Sequence, residues 1–315
     1  YFNIATDEYI FKHIEEDCFM LWRNDNAIIV GKHQNTLAEI NVDYVKEKDI
    51  KVVRRLSGGG AVYHDLGNLN FSFTKTGENT EMVDFQKYTK PIIEVLQKLG
   101  VDAKFEGRND LTIAGKKFSG NAEHVFKNKV LHHGTILYSS EMKDVSGALK
   151  INPLKYKDRA VKSIPKRVTN VADHLEKPIS LEDFTERIMQ HVIDTNPGAR
   201  RYEFSEEDLA AIRKIRDEKY AKWEWNFGHS PNYNFRQGVR TEGGTLEMNL
   251  EVKKGMIKAV KIYGDFFGTK DISEVETLLT DIPHEEKAIK DKLATVDIEK
   301  FFHKMSVDDL ISVMF

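Results

Sequence analysis

Hydrophobic and polar positions along the chain switch repeatedly between helical and strand-like spacing. Ile4, Phe11 and Ile14 share one helix face, with Asn3 placed to cap the first N–H groups and acids in the opening turn to favour the dipole. Apolar runs at Phe19–Trp22 and Ala27–Val30 flank Asn24-Asp25-Asn26, which predicts a β-hairpin. Lys51–Arg55 reads as a strand that Gly58-Gly59-Gly60 breaks. Leu69, Phe71 and Phe73 then alternate with Asn70, Ser72 and Thr74, the pattern of a half-buried strand. Met82, Phe85, Ile92, Leu96 and Leu99 recur at helical spacing up to a stop at Gly100, with a kink or restart expected at Pro91. Strands follow at Val101–Phe105 and Asp110–Ile113. The turn residues Ala114-Gly115-Lys116 place Lys117 near a hairpin bend, and Leu131–Tyr138 is the next strand.

Downstream, Ser180–Asp183 and Ser205–Asp208 resemble capping boxes, each opening an amphipathic helix, the first with Leu181, Phe184, Ile188 and Val192 on one stripe. From Thr245 a new hairpin alternates Leu246, Met248, Leu250 and Val252, turns at Lys253-Lys254-Gly255 and returns over Ile257–Tyr263. Helices at Ser273–Leu279 and Ser306–Met314 complete the chain. This change of pattern sets a boundary near Gly228, dividing the chain into residues 1–228 and 229–315.

Composition narrows the function classes. The 315 residues carry 47 Lys+Arg against 50 Asp+Glu, a formal charge of −3, so charge-driven nucleic-acid binding is excluded. At 40% hydrophobic residues the chain builds a real core, and disorder and collagen are ruled out. Its length fits two domains. The single cysteine, Cys18, forbids an internal disulfide or a multi-cysteine zinc site and points to a reducing, cytoplasmic setting. No apolar run approaches the roughly 18 residues that span a bilayer, no signal-peptide order is present, and no membrane association is expected. Tyr1, in place of a start methionine, predicts that an initial segment precedes it.

Three clusters carry candidate chemistry. In Arg54-Arg55-Leu56-Ser57-Gly58-Gly59-Gly60-Ala61-Val62-Tyr63-His64-Asp65, successive side-chain-free amides can approach an anion and the arginines can add charge-assisted bonds. A flexible turn between solvated arginines is the alternative. Neither a P-loop nor a Rossmann glycine pattern occurs. In Gly107-Arg108-Asn109-Asp110 with Gly115-Lys116-Lys117-Phe118-Ser119-Gly120-Asn121-Ala122, one lysine can supply a fixed ammonium for a carboxylate or phosphate. Asp110 can then orient a metal or a ribose; an exposed lysine turn is the alternative. Of His132-His133, neighbours on a strand, at most one lines a given pocket. Trp223-Glu224-Trp225-Asn226-Phe227-Gly228 reads as core packing. Lys150–Asn170, with seven Lys or Arg against Asp158, is either a solvated loop or a surface that docks an acidic partner or closes over a phosphate.

Taken together, Arg55–Asp65, Gly107–Asp110, Lys117–Ala122, His132-His-Gly-Thr135, Arg167-Val-Thr-Asn170 and Trp223–Gly228 resemble, in order and spacing, the lipoate-protein ligase A family over essentially the whole chain. The resemblance implies an α/β (α+β) fold: a catalytic domain of the class II aminoacyl-tRNA synthetase and biotin-protein-ligase type over 1–228, binding lipoate and ATP, and a small C-terminal α+β accessory domain over 229–315. It implies ATP, Mg²⁺ and lipoic acid, and a reaction through lipoyl-AMP to a lysine amide. Acceptors would be lipoyl domains of 2-oxoacid dehydrogenase E2 subunits and the glycine-cleavage H protein. By the same resemblance Lys117 is the catalytic ammonium that contacts lipoate carboxyl and α-phosphate. Arg55, Ser57, Gly58, Gly59 and Gly60 hold phosphate, Ala61, Val62 and Tyr63 border the adenine, and Asn109 with Asp110 places nucleotide and Mg²⁺. His64, Ser119, Gly120, His133 and Arg167 complete the adenylate site. One departure stands out: Ser163-Ile164-Pro165-Lys166-Arg167 carries Pro165 where the family commonly has arginine.

Rival readings remain beside this one: an adenylate-forming site adapted to lipoyl-amide transfer from one protein to another, which Pro165 keeps open; biotin ligation, which would call for a differently patterned Gly-Arg-rich loop; and two further classes. An octanoyl or lipoyl transferase on the same fold would pass the acyl group through a cysteine, and Cys18, in an apolar run beside Phe19, reads as core instead. An idle homologue that only binds lipoylated proteins would have no use for Lys117, Asp110 and the glycine triplet together.

Overall fold

The computed structural model describes residues 1–77, 84–107, 109–141, 147–149, 156–157, 168–264, 266 and 268–315, with the side chains of 156–157 excepted. Met82, Arg108 and Arg167, and all of Lys150–Asn170 except Tyr156, Lys157 and Val168–Asn170, lie outside the described residues. The chain folds into two compact units. The first comprises Tyr1–Lys32, Glu47–Leu149 and Ser163–Lys222; the second comprises His33–Lys46, Lys150–Lys162 and Trp223–Phe315. A single cut near Gly228 therefore differs from the division in space, which draws 33–46 into the second unit.

The first unit holds two sheets. Strands β1 (Cys18–Trp22), β5 (Asn68–Thr76), β9 (Lys129–Leu137), β8 (Lys116–Phe126), β7 (Asp110–Ile113) and β6 (Ala103–Glu106) form an antiparallel sheet in that order. Strands β3 (Lys51–Arg54), β2 (Ala27–Val30) and β4 (Val62–His64) form a smaller one, with β2 parallel to β3. The expected hairpin of β1 and β2 does not form: β1 pairs with β5 and β2 is the centre of the other sheet. Ala27–Val30 is buried throughout and has no polar face to leave wet, so it takes partners on both edges, whereas β1 is a half-buried edge strand.

One face of the large sheet carries Leu69, Phe71, Leu111, Phe118 and Ile136 and packs against helices α2 (Phe85–Lys98) and α3 (Leu181–Thr195), which contribute Ile92, Leu96, Phe184 and Ile188. α2 runs through Pro91. The polar side of β5, expected to be wet, is buried as well: Asn68, Asn70, Ser72 and Thr74 are all enclosed because helix α1 (Phe2–His13) and the small sheet lie on that side. Asn3 does not cap α1. The helix starts at Phe2, so Asn3 lies within the first turn and donates instead to the Arg23 carbonyl and to Asn24 Oδ1; the acids Asp7 and Glu8 fall in the second turn, buried. Ser180 accepts from the Asp183 N–H, and Ser205 with Asp208 closes a full capping box on α4 (Glu206–Ile215).

The second unit is built on the antiparallel sheet β10 (Tyr156–Lys157), β11 (Tyr233–Thr241), β12 (Gly244–Lys253) and β13 (Met256–Gly264). β12 alternates buried and half-exposed positions, and Leu246, Met248, Leu250 and Val252 meet Leu279, Ile289, Phe301 and Phe302 from α5 (Ser273–Leu278), α6 (Glu286–Leu293) and the turns around them. β11 and α6 have no counterpart among the elements expected from sequence. Leu37 and Ala38 join this core, while Thr36 Oγ1 donates to the Asn226 carbonyl at 2.6 Å. Trp223, Trp225 and Phe227, expected as core, are only half-buried. Within that segment it is Asn226 and Gly228 that are enclosed, with Gly255 seated closely on Gly228 and the Trp223 ring.

Candidate active site

The glycine triplet follows β3 and is braced from below. Arg55 is 6% exposed, and its guanidinium is engaged by the chain itself. Nε donates to Ser57 Oγ (3.0 Å), Nη1 to the Ile29 carbonyl (3.1 Å), and Nη2 to the carbonyls of Gly58 (2.6 Å) and Gly60 (2.9 Å). Arg54, fully buried, donates to the carbonyls of Gly31 and Lys32. Burial pushes both guanidinium groups down to about 10, with mutual repulsion adding at Arg55. Arg55 thus shapes the loop by drawing its carbonyls inward. Gly59 sits at φ +90° and is exposed, and among the described residues the N–H groups of Gly58, Gly59 and Gly60 donate to no protein acceptor. Unpaired N–H groups at such a turn form an anion-binding nest.

The floor below the loop is β8. A Cβ on Gly59 would lie 4.0 Å from the Ala122 Cβ, and the same sheet face carries Gly120 and, further along, Lys117. Lys117 reaches that face through a β-bulge. The two-residue turn Ala114-Gly115, both at positive φ, joins β7 to β8; Lys117 then opposes Thr112 while Ser119 opposes Leu111, so Phe118 is the extra residue. With strict alternation from Gly120, Lys117 would point into the core; the bulge turns it to the side of Asp110 and Gly120 and sends Phe118 into the core. Lys117 Nζ lies 2.9 Å from Asp110 Oδ1, and a Cβ on Gly120 would stand 2.8 Å from Nζ, so the ammonium folds closely over Gly120 and an added methyl there would displace the end of the lysine side chain. Val168 pairs with Lys117 in a parallel bridge, and the Thr169 N–H donates to the Lys117 carbonyl at 2.9 Å, bringing the chain that follows Arg167 to this lysine.

The paired histidines split as strand geometry requires. His132 is buried on the helix side between the rings of Tyr88 and Phe71, with Nδ1 2.9 Å from Glu123 Oε1; burial lowers its pKa. His133 faces the glycine loop, with Nε2 2.5 Å from Ser57 Oγ and Nδ1 3.1 Å from Asp7 Oδ2. His64 accepts from Asn24 Nδ2 at its Nδ1 and is pushed down to about 3 by burial, then by Arg55 and His133, so it is a neutral ring. Tyr63 donates its hydroxyl to Asn26 Oδ1, tying it to the turn before β2, and Val62 lies on the other side of β4 beside Ala61. Asn109 Nδ2 donates to the Asn121 carbonyl, clamping β7 to β8, and Ser119 lies on the opposite face, where Asn121 Nδ2 donates to its hydroxyl.

The fold therefore brings Ser57, Gly58–Gly60, Asp110, Lys117, Gly120 and His133 to one face, while the Ser119 side chain faces away and the Tyr63 hydroxyl is held at a turn. Sequence reasoning missed Asp7, Gly31 and Ala122. Asp7 had a signal: it occupies a core position of α1 between Ile4 and Phe11. Among the described residues no group of three or more His, Cys, Asp and Glu is placed to hold a metal, and no helix is long and apolar enough to cross a membrane. Cys18 is half-buried on the edge strand, its thiol donating to the Glu16 carbonyl (3.4 Å) and pushed up by burial and by Glu16 and Asp17.

Comparison with known proteins places these features. The lipoyl protein ligase A/B catalytic domain family matches residues 1–193, and the bacterial lipoate protein ligase C-terminus matches 230–314. Lipoate-protein ligase LplJ of Bacillus subtilis is 41% identical, with 99% of this chain and 96% of the relative aligned; lipoate-protein ligase 1 of Staphylococcus aureus is 40% identical over 99% and 95%. Among solved structures, a lipoate-protein ligase A bound with ATP is similar with a TM-score of 0.63 and 26% identity over 72% of this chain and 94% of its own. LipL1 of P. falciparum in complex with lipoate has a TM-score of 0.62 and 26% identity over 94% and 91%. A two-part lipoate-protein ligase of Thermoplasma acidophilum, studied with its E2 lipoyl domain, has a TM-score of 0.63 and 27% identity over 72% and 91%. The architecture is the α+β catalytic fold of these ligases followed by a small C-terminal sheet domain. Full-length identity near 40% to two ligases, a catalytic-domain match over more than half its length and the paired C-terminal match make this chain a member of the lipoate-protein ligase A/B family.

Proposed function

We propose that this lipoate-protein ligase carries out both half-reactions on the β8 face between Lys117 and the glycine nest. In the first, a lipoate carboxylate oxygen bonds to the α-phosphorus of ATP and the bond to the β-phosphate oxygen breaks, releasing pyrophosphate. In the second, a lysine amine of the acceptor bonds to the acyl carbon, AMP leaves and the amine loses a proton. The work asked of the protein is positioning and charge stabilisation. Lys117 is the ammonium that meets carboxylate and α-phosphate, and Gly58–Gly60 present N–H groups to phosphate. Ala61 and Val62 border the adenine, and His64 and His133 wall the pocket. Arg55 and Ser57 shape the nest from beneath, Asn109 holds the β7–β8 ladder, and Ser119 supports the floor from its far side. Arg167 is assigned to the adenylate site by its place in the Arg167-Val-Thr-Asn170 motif alone.

The observation that carries this reading is the convergence of Lys117, Asp110 and the unpaired loop amides across Gly120 and Ala122. The donor set at Asp110 suits Mg²⁺ that arrives with the nucleotide, since such an ion needs one or two carboxylates beside substrate phosphates; when bound it would offset phosphate charge. Acceptors are assigned as lipoyl domains of 2-oxoacid dehydrogenase E2 subunits and the glycine-cleavage H protein, and the setting is assigned as cytoplasmic, in keeping with a chain that carries a single cysteine. The test is lipoate-dependent exchange of labelled pyrophosphate into ATP with Mg²⁺ and no acceptor. Lys117→Ala is expected to abolish exchange with an unchanged melting temperature, and near-normal exchange by that variant would refute the role given to Lys117.

A further inference from the structure

Asp7 is buried at 3% exposure in α1, far along the chain from every glycine-loop residue, and one of its oxygens, Oδ1, has no partner among the described residues. A buried carboxylate with half its hydrogen-bonding capacity unmet costs stability. What it does make is the last link of a hydrogen-bonded chain whose direction is set at both ends. The Arg55 guanidinium can only donate, so Ser57 Oγ accepts from Nε at 3.0 Å and sends its own proton to His133 Nε2 at 2.5 Å. His133 is then protonated at Nδ1 and donates to Asp7 Oδ2 at 3.1 Å. The chain crosses from the small sheet to the large one and ends on α1. At its other end Arg55 holds the carbonyls of Gly58 and Gly60. Ser57 is 1% exposed, with its oxygen and its proton both engaged, so despite a serine–histidine–aspartate order it is not set up to attack a substrate.

We infer that Asp7 is a positioning residue for adenylate formation: through His133, Ser57 and Arg55 it holds the glycine nest in the geometry that receives the nucleotide phosphates. The inference rests on the reading of Gly58–Gly60 as the phosphate site. Asp7 fixes the imidazole tautomer, the tautomer fixes the serine rotor, and the serine leaves Arg55 a single arrangement beneath the loop. A purely structural Asp7 would behave oppositely, because exchanging a poorly satisfied buried carboxylate for its neutral isostere relieves desolvation.

The experiment measures pyrophosphate exchange, with kcat and KM for ATP, and melting temperature for Asp7→Asn, Ser57→Ala, the double variant and Gly59→Ala. Asp7→Ala serves as a second truncation. The expected result is a kcat/KM for ATP lowered about 10- to 100-fold in Asp7→Asn and Ser57→Ala at an undiminished melting temperature, with the double variant no worse than the poorer single. Exchange within about twofold of wild type in Asp7→Asn, losses that track only a falling melting temperature, or strictly additive losses would overturn the positioning role. Gly59→Ala separates the two claims: unchanged KM for ATP there sinks the loop as phosphate site, whereas an impaired Gly59→Ala beside a normal Asp7→Asn sinks the relay alone.

Discussion

Gly31→Ala tests whether the glycine loop must sit where it does. Gly31 directly follows the buried strand β2, and a Cβ there would stand 2.1 Å from the Gly59 carbonyl oxygen, 3.0 Å from its carbon and 3.3 Å from Arg55 Nη2. Ordinary contact begins near 3.4 Å, so something must yield by more than 1 Å. Gly31 cannot retreat: its carbonyl accepts from buried Arg54, and the neighbouring Val30 carbonyl accepts from the Arg55 N–H. The exposed loop moves instead, and Arg55 is dragged with it. Overpacking of this kind costs about 1–3 kcal/mol of stability, and a displacement near 1 Å at a phosphate cradle costs on the order of 100-fold in rate. Exchange kinetics at varied ATP, beside a thermal melt, give both numbers. A folded protein with a raised KM for ATP is expected. A lowered melting temperature accompanied by exchange within about twofold of wild type would show that the loop's position is irrelevant to the nucleotide.

Cys18→Ser is expected to leave both exchange and transfer to a lipoyl domain unchanged, because its thiol is a half-buried edge group held protonated; loss of acyl transfer would point to a thioester route. The second unit carries an acid-sensitive seat. His284 is enclosed, with Nδ1 accepting from the Tyr233 hydroxyl (2.5 Å), Nε2 donating to the Met314 carbonyl (2.6 Å) and the Phe315 ring stacked at 4.7 Å; burial pushes it down to about 4. A depressed folded pKa means stability present above the unfolded value near 6.5 and lost as pH falls toward about 4, roughly 3 kcal/mol in all. Urea midpoints across that window should fall less steeply for His284→Gln than for wild type, and identical slopes would dismiss the histidine as the cause.

Local pattern was enough for most of the elements. The turn Ala114-Gly115 needs two residues at positive φ and so declares itself, as does the strand alternation of Leu246–Val252, where one face meets the core and the other meets water. The two histidines could be sent to opposite sides from the period of a strand alone. Pairing was less legible. Cys18–Trp22 and Ala27–Val30 adjoin a turn but join different sheets, and the polar side of β5 is enclosed because helix α1 and the small sheet cover it, which no alternation within β5 records.

Residue identity and short spacing carry the family, the glycine triplet and the lysine that follows a hairpin bend, so all three were legible along the chain. What those residues do to one another depends on contacts between distant segments. Arg55, read as a ligand to phosphate, is engaged by loop carbonyls because burial leaves its donors no water to satisfy them. One bulge residue, Phe118, turns Lys117 from core to site, and Asp7 meets His133 across 126 positions of chain. Such contacts depend on register and on which faces are covered, and both are settled when distant segments compete for the same buried surface.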